Sequence, residues 1–382
     1  MCCSSQPLQR ERRAAGRSLL KAVVLACALA LALGAVPSAY AQSPLPGPAP
    51  SPSPSPTPVP VPTQINSDIS AGNQVLNLGS SFLERLGNQA TNGFNHSLNN
   101  NPAGGGASEA AQGPRYRSWG ELYGLSIRTD SQGDIVGDKR RTTGGVFGFG
   151  AQVMPHVNIG FSIDQSHTQI DVPLALQTAT LDLTQFGFSA SVDRGPWTWA
   201  IALVHGFGNV GSSRDTGLGF ANASYGARID GALTELDYYW TIGQGRIVPK
   251  AGLEWVRSTT GALQEVGGLD PVMATGATFE RTRGLVGAEV GHYWIFGTRI
   301  LDLSAYGKFV DNFEQNFSSV MVSLGPQSIT VQGIGESQYG ADAGASASLF
   351  IGNTARVYLN YDAKLRANLQ SHQGTLGLEL KF

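Results

Sequence analysis

The sequence predicts an all-β protein, a 12-stranded antiparallel transmembrane β-barrel that follows a short helix. Three observations support this. Apolar and polar residues alternate up to Phe382, strand-like segments recur from Trp119 onward with alternately short and long connections, and five of the six tryptophans lie near short connections. A period of two gives each strand one apolar and one polar face, which suits a wall between lipid and a hydrated interior.

Residues 1–41 have the pattern of a secretory signal peptide. Five basic residues between positions 10 and 21 precede an apolar stretch at residues 22–36, which is too short to span a bilayer comfortably. Small residues at Ala39 and Ala41 then predict cleavage between Ala41 and Gln42.

The composition of the remaining chain excludes several classes of protein. All three cysteines lie within residues 1–41, and removing that segment changes the formal net charge from −2 to −6. Basic residues are scattered rather than clustered, which argues against a nucleic-acid partner. Beyond residue 41 there is no run of 18 apolar residues, so any crossing of a membrane must use strands.

Residues 42–64 form a proline-rich linker. Every even-numbered residue from Pro44 to Pro62 is proline. Such a run forms neither helix nor sheet and predicts a stiff polyproline II rod, which rises about 3.1 Å per residue. Two interpretations are open: a spacer that holds something away from a surface, or a solvated linker.

Residues 65–92 show helical periodicity, and residues 93–118 are predicted to be a flexible loop. The apolar or small positions recur at spacings of three and four: Ile65, Ile69, Gly72, Leu76, Gly79, Leu83, Leu86 and Ala90. The stripe fits an amphipathic helix that docks on a surface, or one that lies inside or just outside the barrel. The two glycines on it would permit close approach to a neighbouring surface.

Twelve strands are predicted between residues 119 and 382, which form the barrel. They lie at residues 119–129, 142–153, 157–167, 179–192, 197–210, 223–242, 247–259, 277–296, 299–312, 335–351, 355–366 and 371–382. Five connections are tight and contain Gly or Pro, whereas most of the others, at residues 130–141, 166–178, 210–222, 260–276 and 313–334, are long. This alternation is typical of an outer-membrane barrel with periplasmic turns and surface loops.

Aromatic and charged residues agree with this arrangement. Five tryptophans are predicted to form an aromatic girdle at one membrane interface: Trp119, Trp197, Trp199, Trp240 and Trp294. Four acidic residues are predicted to point inward, where basic strand residues can pair with them: Glu121, Glu235, Glu254 and Glu289. The expected bases are Lys250, Lys308, Lys364 and Arg366.

Several segments resemble the β-domain of autotransporters, the translocators of type V secretion. They are RYRSWGELYG at residues 115–124, the glycine-spaced GGVFGFG at residues 144–150 with VNIG at residues 157–160, VPKAGLE at residues 248–254 and the terminal LELKF. The resemblance covers residues 119–382. Upstream of the barrel this sequence departs from the family pattern. Only 77 residues, from Gln42 up to Trp119, precede the first strand. The passenger region is therefore very short.

The resemblance implies a location, partners and an activity. It implies a monomer in outer-membrane lipid with loops at the cell surface, assembled by periplasmic chaperones and the barrel-assembly machinery. That machinery would read a terminal signal formed by Leu376, Leu378, Leu380 and Phe382. The family also implies translocation or display of residues 42–118, with a helical segment remaining in the pore.

Few residues indicate chemistry. Residues 99–101 are three asparagines, the residue type at which some autotransporters cut their own passenger, but they read better as a low-complexity run. The six histidines show no metal spacing and no catalytic arrangement, so neither enzymatic activity nor a cofactor is expected. The alternatives are a small channel or structural barrel that exports nothing, or an outer-membrane hydrolase.

Overall fold

The structure, a computed structural model, describes residues 61–91, 115–333, 335–352 and 354–382. The signal peptide with its cleavage site at Ala41 and Gln42, nearly all of the proline-rich linker, the asparagine run and most of the loop predicted after the helix lie outside these residues.

One long helix precedes the strands. A 3₁₀ turn at Pro62–Ile65 leads into α1 (Asn66–Thr91). The strands that follow are β1 (Tyr116–Thr129), β2 (Asp138–Met154), β3 (Val157–Val172), β4 (Gln177–Arg194), β5 (Trp197–Asp215), β6 (Phe220–Tyr238), β7 (Trp240–Ile242), β8 (Gly245–Thr260), β9 (Leu263–Gln264), β10 (Met273–Ala274), β11 (Ala277–Phe296), β12 (Arg299–Phe317), β13 (Ser319–Leu324), β14 (Gln327–Gln332), β15 (Tyr339–Ile351), β16 (Ala355–Arg366) and β17 (Leu369–Lys381).

The long strands close into an antiparallel barrel of twelve, which confirms the predicted fold class. Each pairs with the next long strand along the chain, and β7 adds a short extension beside β8. The barrel closes where β1 pairs with β17, in a register that runs from Arg117 opposite Lys381 to Thr129 opposite Leu369. Backbone hydrogen bonds between Tyr116 and Phe382 continue this seam at 2.9 Å.

The two ends of the barrel differ, but not as the predicted loop lengths implied. We call the end with the tight turns the turn end, and the opposite end the loop end. Two connections that were predicted to be long each contain only four residues outside strands, residues 173–176 and residues 216–219. They are short because β3, β4, β5 and β6 extend farther toward the loop end than predicted. Beyond the apolar belt their outer faces become polar, as at Gln165, His167 and Gln169 of β3, and the alternation that marks a half-apolar strand is lost.

The remaining loop-end connections contribute a second, smaller sheet. Its strands lie in the order β14-β13-β10-β9 and come from the two segments predicted as loops at residues 260–276 and 313–334. Val320, Val322 and Val331 on one face are buried and belong to the core that surrounds the start of α1.

The outer face of the barrel is apolar and the inner face polar. Leu376, Leu378 and Leu380 of β17 point outward and are about half exposed, whereas Thr375 and Glu379 between them are buried inside. Strands of 16–20 residues, such as β3 and β11, exceed the 9–11 that a tilted strand needs to cross a bilayer, so the wall projects beyond the membrane.

Four of the five predicted girdle tryptophans lie on the outer face near the turn end. Trp197, Trp199 and Trp240 are exposed and Trp294 is partly exposed. The prediction for Trp119 is wrong: its side chain is only 3% exposed and points into the barrel. In β1 the odd-numbered residues face inward, and the ring lies over Gly148 of β2, where no side chain competes for the space.

Helix α1 lies within the barrel. Almost all of its residues are buried, not only those of the predicted stripe, because the wall surrounds it. It packs mainly against β3, β4, β5, β6 and β8. Within the described residues, no helix is both long enough and apolar enough to cross a bilayer.

Candidate functional site in the barrel lumen

Glycines on α1 and on the wall let the helix approach the strands closely. A Cβ at Gly72 would lie 2.2 Å from the Phe279 ring, and one at Gly79 would lie 2.5 Å from Ile229. On the wall, a Cβ at Gly187 would meet Leu86 and Phe82 of the helix. The spaces that these glycines leave are filled by large apolar side chains, so the predicted stripe contacts the wall as a surface of matched shape.

Polar contacts at the loop end hold the start of the helix. The Gln177 side chain donates to the Thr63 carbonyl at 2.6 Å and accepts from the Ser67 amide at 2.8 Å. Tyr225 donates to Asp68 at 2.7 Å. The two Gln177 bonds use backbone groups in the first turns that have no partner within the helix.

A network of charged side chains on the wall forms ion pairs with the middle of the helix. Arg283 of β11 donates to Glu84 and, at 3.0 Å, to Glu254 of β8. Lys364 of β16 also reaches Glu84, at 2.8 Å. Arg283 and Glu254 are fully buried, so each depends on its partners to offset the cost of removing a charge from water.

The next helix residue, Arg85, reaches the opposite side of the wall. Its guanidinium lies 3.0 Å from the Asp164 carboxylate and 3.7 Å above the Tyr123 ring. Tyr123 donates to the same carboxylate at 3.0 Å. The two adjacent charges of the helix, Glu84 and Arg85, are therefore paired with different parts of the barrel wall.

The end of the helix is held at the turn end. Gln89 donates to Glu121 at 3.0 Å and to the Tyr358 hydroxyl at 2.9 Å. Arg117 bonds both the side chain and the backbone carbonyl of Gln89, and Tyr239 donates to the Thr91 carbonyl at 3.1 Å. The helix is thus anchored along its full length, from the loop end to the turn end.

All four predicted acidic residues face the lumen, and the structure identifies their partners. Glu235 pairs with Lys308 at 3.0 Å, and Glu289 pairs with Arg246 at 2.8 Å. Glu254 pairs with Arg283, and Glu121 accepts from Tyr358 and Gln89. Sequence reasoning missed the partners Arg246 and Arg283, because pairing across the lumen depends on strand register, which single-strand periodicity does not provide.

One space left beside the helix in the lumen is small and polar. A cavity of about 100 Å³ lies on the side of the helix toward β11, β12, β15 and β16. Arg246, Glu289, Asp302 and Arg356 line part of it, so charged groups face one another across the gap left beside the helix.

No cluster of three or more metal-ligating side chains occurs among the residues that the structure describes. The two histidines on the loop side of the wall lie on its outer face. His167 pairs with Asp182 and His205 with Asp230, both at 2.7 Å, and all four side chains are about half exposed. The structure therefore does not bring these histidines to the lumen.

Comparison with known proteins identifies the family. Residues 118–362 match the family model described as the autotransporter β-domain. The chain belongs to the autotransporter β-domain family. No curated protein matches the sequence. The chain is an outer-membrane translocator barrel of type V secretion.

Two solved autotransporter structures share this fold. The translocator domain of NalP from Neisseria meningitidis is 15% identical, with 84% of this chain and 99% of that chain covered and a TM-score of 0.63. The β-domain of Bordetella BrkA is 14% identical, with 70% and 100% covered and a TM-score of 0.53. At these identities the likeness supports the fold of this autotransporter barrel.

Proposed function

We propose that this barrel carries its own N-terminal segment, residues 42–61, to the cell surface and that α1 then remains in the pore as a plug. The observation that carries the proposal is the direction of α1. Its first residues contact Gln177 and Tyr225 at the loop end, whereas Gln89 and Thr91 contact residues at the turn end, where β1 begins. The first described residue, Val61, therefore lies at the loop end of the lumen.

The orientation of the barrel completes the argument. Outer-membrane barrels place short turns in the periplasm and the opposite end outside the cell. If this barrel follows that rule, α1 connects an exterior N-terminal segment to a periplasmic β1. A pore of twelve strands accommodates a helix or extended chain but no folded domain, so the segment would cross unfolded. The outward apolar belt supports lipid as the surrounding partner. We propose that the barrel is a monomer and that periplasmic chaperones and the barrel-assembly machinery assemble it.

Labelling of intact cells tests the display of the segment. The three cysteines lie in the predicted signal peptide, so Ser53→Cys introduces a single thiol into the mature chain. A membrane-impermeant maleimide should label it on intact cells. The control is Thr298→Cys in the tight turn between β11 and β12, which should react only after permeabilisation. If Ser53→Cys also requires permeabilisation, the segment is periplasmic and the proposal is wrong.

The main alternative function, an open channel, is disfavoured by the filled lumen. The helix and its charged contacts leave the small polar cavity beside Arg246 and Tyr358 rather than a wide pore. We therefore propose that the barrel with its helix in place conducts ions poorly, which electrical recording in planar bilayers tests.

A further inference from the structure

The loop end carries an exposed group of large apolar side chains, which we call the apolar loop patch. Its members come from the β3–β4, β5–β6 and β8–β10 connections: Leu174, Leu176, Leu218, Phe220, Val266 and Leu269. Leu174 and Leu218 are 78% and 77% exposed, and the least exposed, Leu269, is still 47% exposed. Clustered apolar exposure of this kind on a water-facing loop marks a contact surface.

Polar contacts beneath the patch join two of its loops, the β5–β6 and β8–β10 connections. Arg214 forms a two-point pair with Glu265, at 2.6 and 3.0 Å, and donates to the Asp270 carbonyl at 2.9 Å. The Thr216 hydroxyl accepts from the Leu269 amide at 2.9 Å. Arg214 and Glu265 are nearly buried. These loops therefore turn their charges inward and their apolar side chains outward, the reverse of an ordinary solvated loop.

The backbone at Leu176 is held in an unusual conformation. Its φ is 54°, in the left-handed region that β-carbon-bearing residues avoid. Its amide donates to the Pro173 carbonyl at 3.2 Å, and its own carbonyl accepts from the Asp215 amide at 3.0 Å. These bonds fix the β3–β4 connection against the β5–β6 connection, so the exposed Leu174 and Leu176 belong to a built surface rather than to an isolated tip.

The patch lies beside the point where the chain enters the barrel. Gln177, which directly follows Leu176, bonds the Thr63 carbonyl and the Ser67 amide. Val61, the first described residue, is only two residues before Thr63 and is 46% exposed. The proline-rich segment at residues 44–60 is therefore covalently attached to the barrel at a point beside the patch.

We propose that the proline-rich segment, residues 44–60, docks on the apolar loop patch. The segment has no charged residue, and neither does any of the six side chains of the patch. A proline-rich chain presents apolar rings in a preformed conformation, which lowers the entropic cost of binding an apolar surface. Tethering adds to this, since it makes the encounter intramolecular.

The length of the segment is sufficient to cover the patch. The patch extends over four neighbouring wall strands, from β4 to β8, which spans about 15 Å at the usual strand spacing of about 4.8 Å. A polyproline II chain of 17 residues reaches about 53 Å at about 3.1 Å per residue. Five or six residues would therefore bridge the loops, and the rest could follow the surface or extend beyond it.

This docking rests on the proposed display of the segment at the loop end. The test uses the mature protein, residues 42–382, in detergent micelles, with spin labels at Ser53→Cys and at Thr180→Cys on the exposed outer face of β4. Docking predicts a narrow distribution of distances between the labels. Replacing the two most exposed members of the patch, Leu174→Ser with Leu218→Ser, should broaden it. Met321→Ser on the smaller sheet, 51% exposed and outside the patch, should leave it narrow.

The possible results separate docking from display. A broad distribution in the unmodified protein, with Ser53→Cys still labelled on intact cells, overturns docking and leaves display standing. A narrow distribution that survives the double substitution shows that the segment binds elsewhere. If the double substitution instead halves the particle mass in detergent, the patch is an interface between copies, and the proposed occupant is wrong.

Discussion

At the residue scale, α1 is held by charged side chains whose partners lie at a defined depth of the pore. Glu84 faces Arg283 and Lys364, whereas Arg85 faces Asp164 on another part of the wall. Moving the helix along its axis would separate both pairs at once and leave buried charges without partners, at a cost of about 3–5 kcal/mol for each broken pair. The charges therefore determine where the helix stops.

The close contact at Gly72 predicts that alanine has opposite effects on stability at two glycines of α1, Gly72 and Gly87. Gly72→Ala would place a Cβ within the Phe279 ring, which is itself buried, so we expect a loss of about 1–3 kcal/mol from overpacking. Gly87→Ala is the control, because it meets only the end of the Leu233 side chain, at 3.0 Å, and gains up to about 1 kcal/mol of helix propensity. Denaturant unfolding in micelles measures both. Equal midpoints would show that the helix does not pack against Phe279.

The ion pairs of Glu336, in the loop between β14 and β15, predict that the stability of this loop is sensitive to acid. Its carboxylate contacts Arg281 at 2.5 Å and Arg366 at 3.3 Å. Burial opposes its charge, but these arginines prevail and lower its pKa from 4.5 to about 2. A lowered pKa in the folded state contributes stability above the unfolded pKa, and this is lost as pH falls through the folded value.

We therefore expect the loop between β14 and β15 to lose protection from hydrogen exchange as pH falls from about 4.5 toward about 2, after correction for intrinsic exchange. Glu336→Gln should be less stable at neutral pH and should lack this pH-dependent step, because its charge is absent at every pH. The control Glu314→Gln changes an exposed carboxylate on β12 and should behave as the unmodified protein does. A step that persists in Glu336→Gln would assign the titration to another group.

At the scale of elements, the helix and the wall have different roles. The wall strands satisfy one another's backbone groups around a closed ring, so the barrel does not need the helix for hydrogen bonding. The helix instead fills the interior and pairs with inward charges that would otherwise face water. Removing it should leave a folded barrel with a charged, hydrated lumen.

Electrical recording in planar bilayers tests that separation. The intact protein should conduct ions poorly. Deletion of residues 65–90 should give stable steps of increased conductance, because the helix that fills the pore is gone. Double substitution of Glu84→Ala and Arg85→Ala should produce intermittent opening, since it removes the paired charges but keeps the helix. Leu203→Ala, on the outer face of β5 and 46% exposed, is the control. Identical conductance with and without the helix would show that it does not plug the pore.

At the scale of the whole molecule, the sequence predicts the barrel better than its contents. Strand number, closure and the outward leucines of β17 follow from alternation, which each strand carries by itself. Trp119 lies inside because the phase of β1 turns its odd-numbered residues inward, and proximity to a strand end does not indicate that phase. The pairs Arg283–Glu84 and Arg85–Asp164 depend on the depth of the helix and on strand register together, and neither can be read from a single segment.

The seam between β1 and β17 is where the barrel closes, and Phe382 marks its turn end. Its ring is 61% exposed and lies 6.2 Å from the Tyr116 ring and 6.4 Å from the Phe149 ring. Phe382→Ala removes this aromatic contact across the seam. We expect less folded, heat-modifiable barrel in the outer membrane, because closure is the last pairing that the chain can make.

Phe296→Ala is the matched control for this prediction. Phe296 is also exposed, at 42%, and also ends a long strand beside a tight turn, but β11 is paired on both sides by strands other than β17. A general loss of apolar contact with lipid would lower both yields equally. A decrease confined to Phe382→Ala would assign the effect to the closing strand and would support the predicted assembly signal of Leu376, Leu378, Leu380 and Phe382. Equal yields for both variants and the unmodified protein would remove Phe382 from that signal.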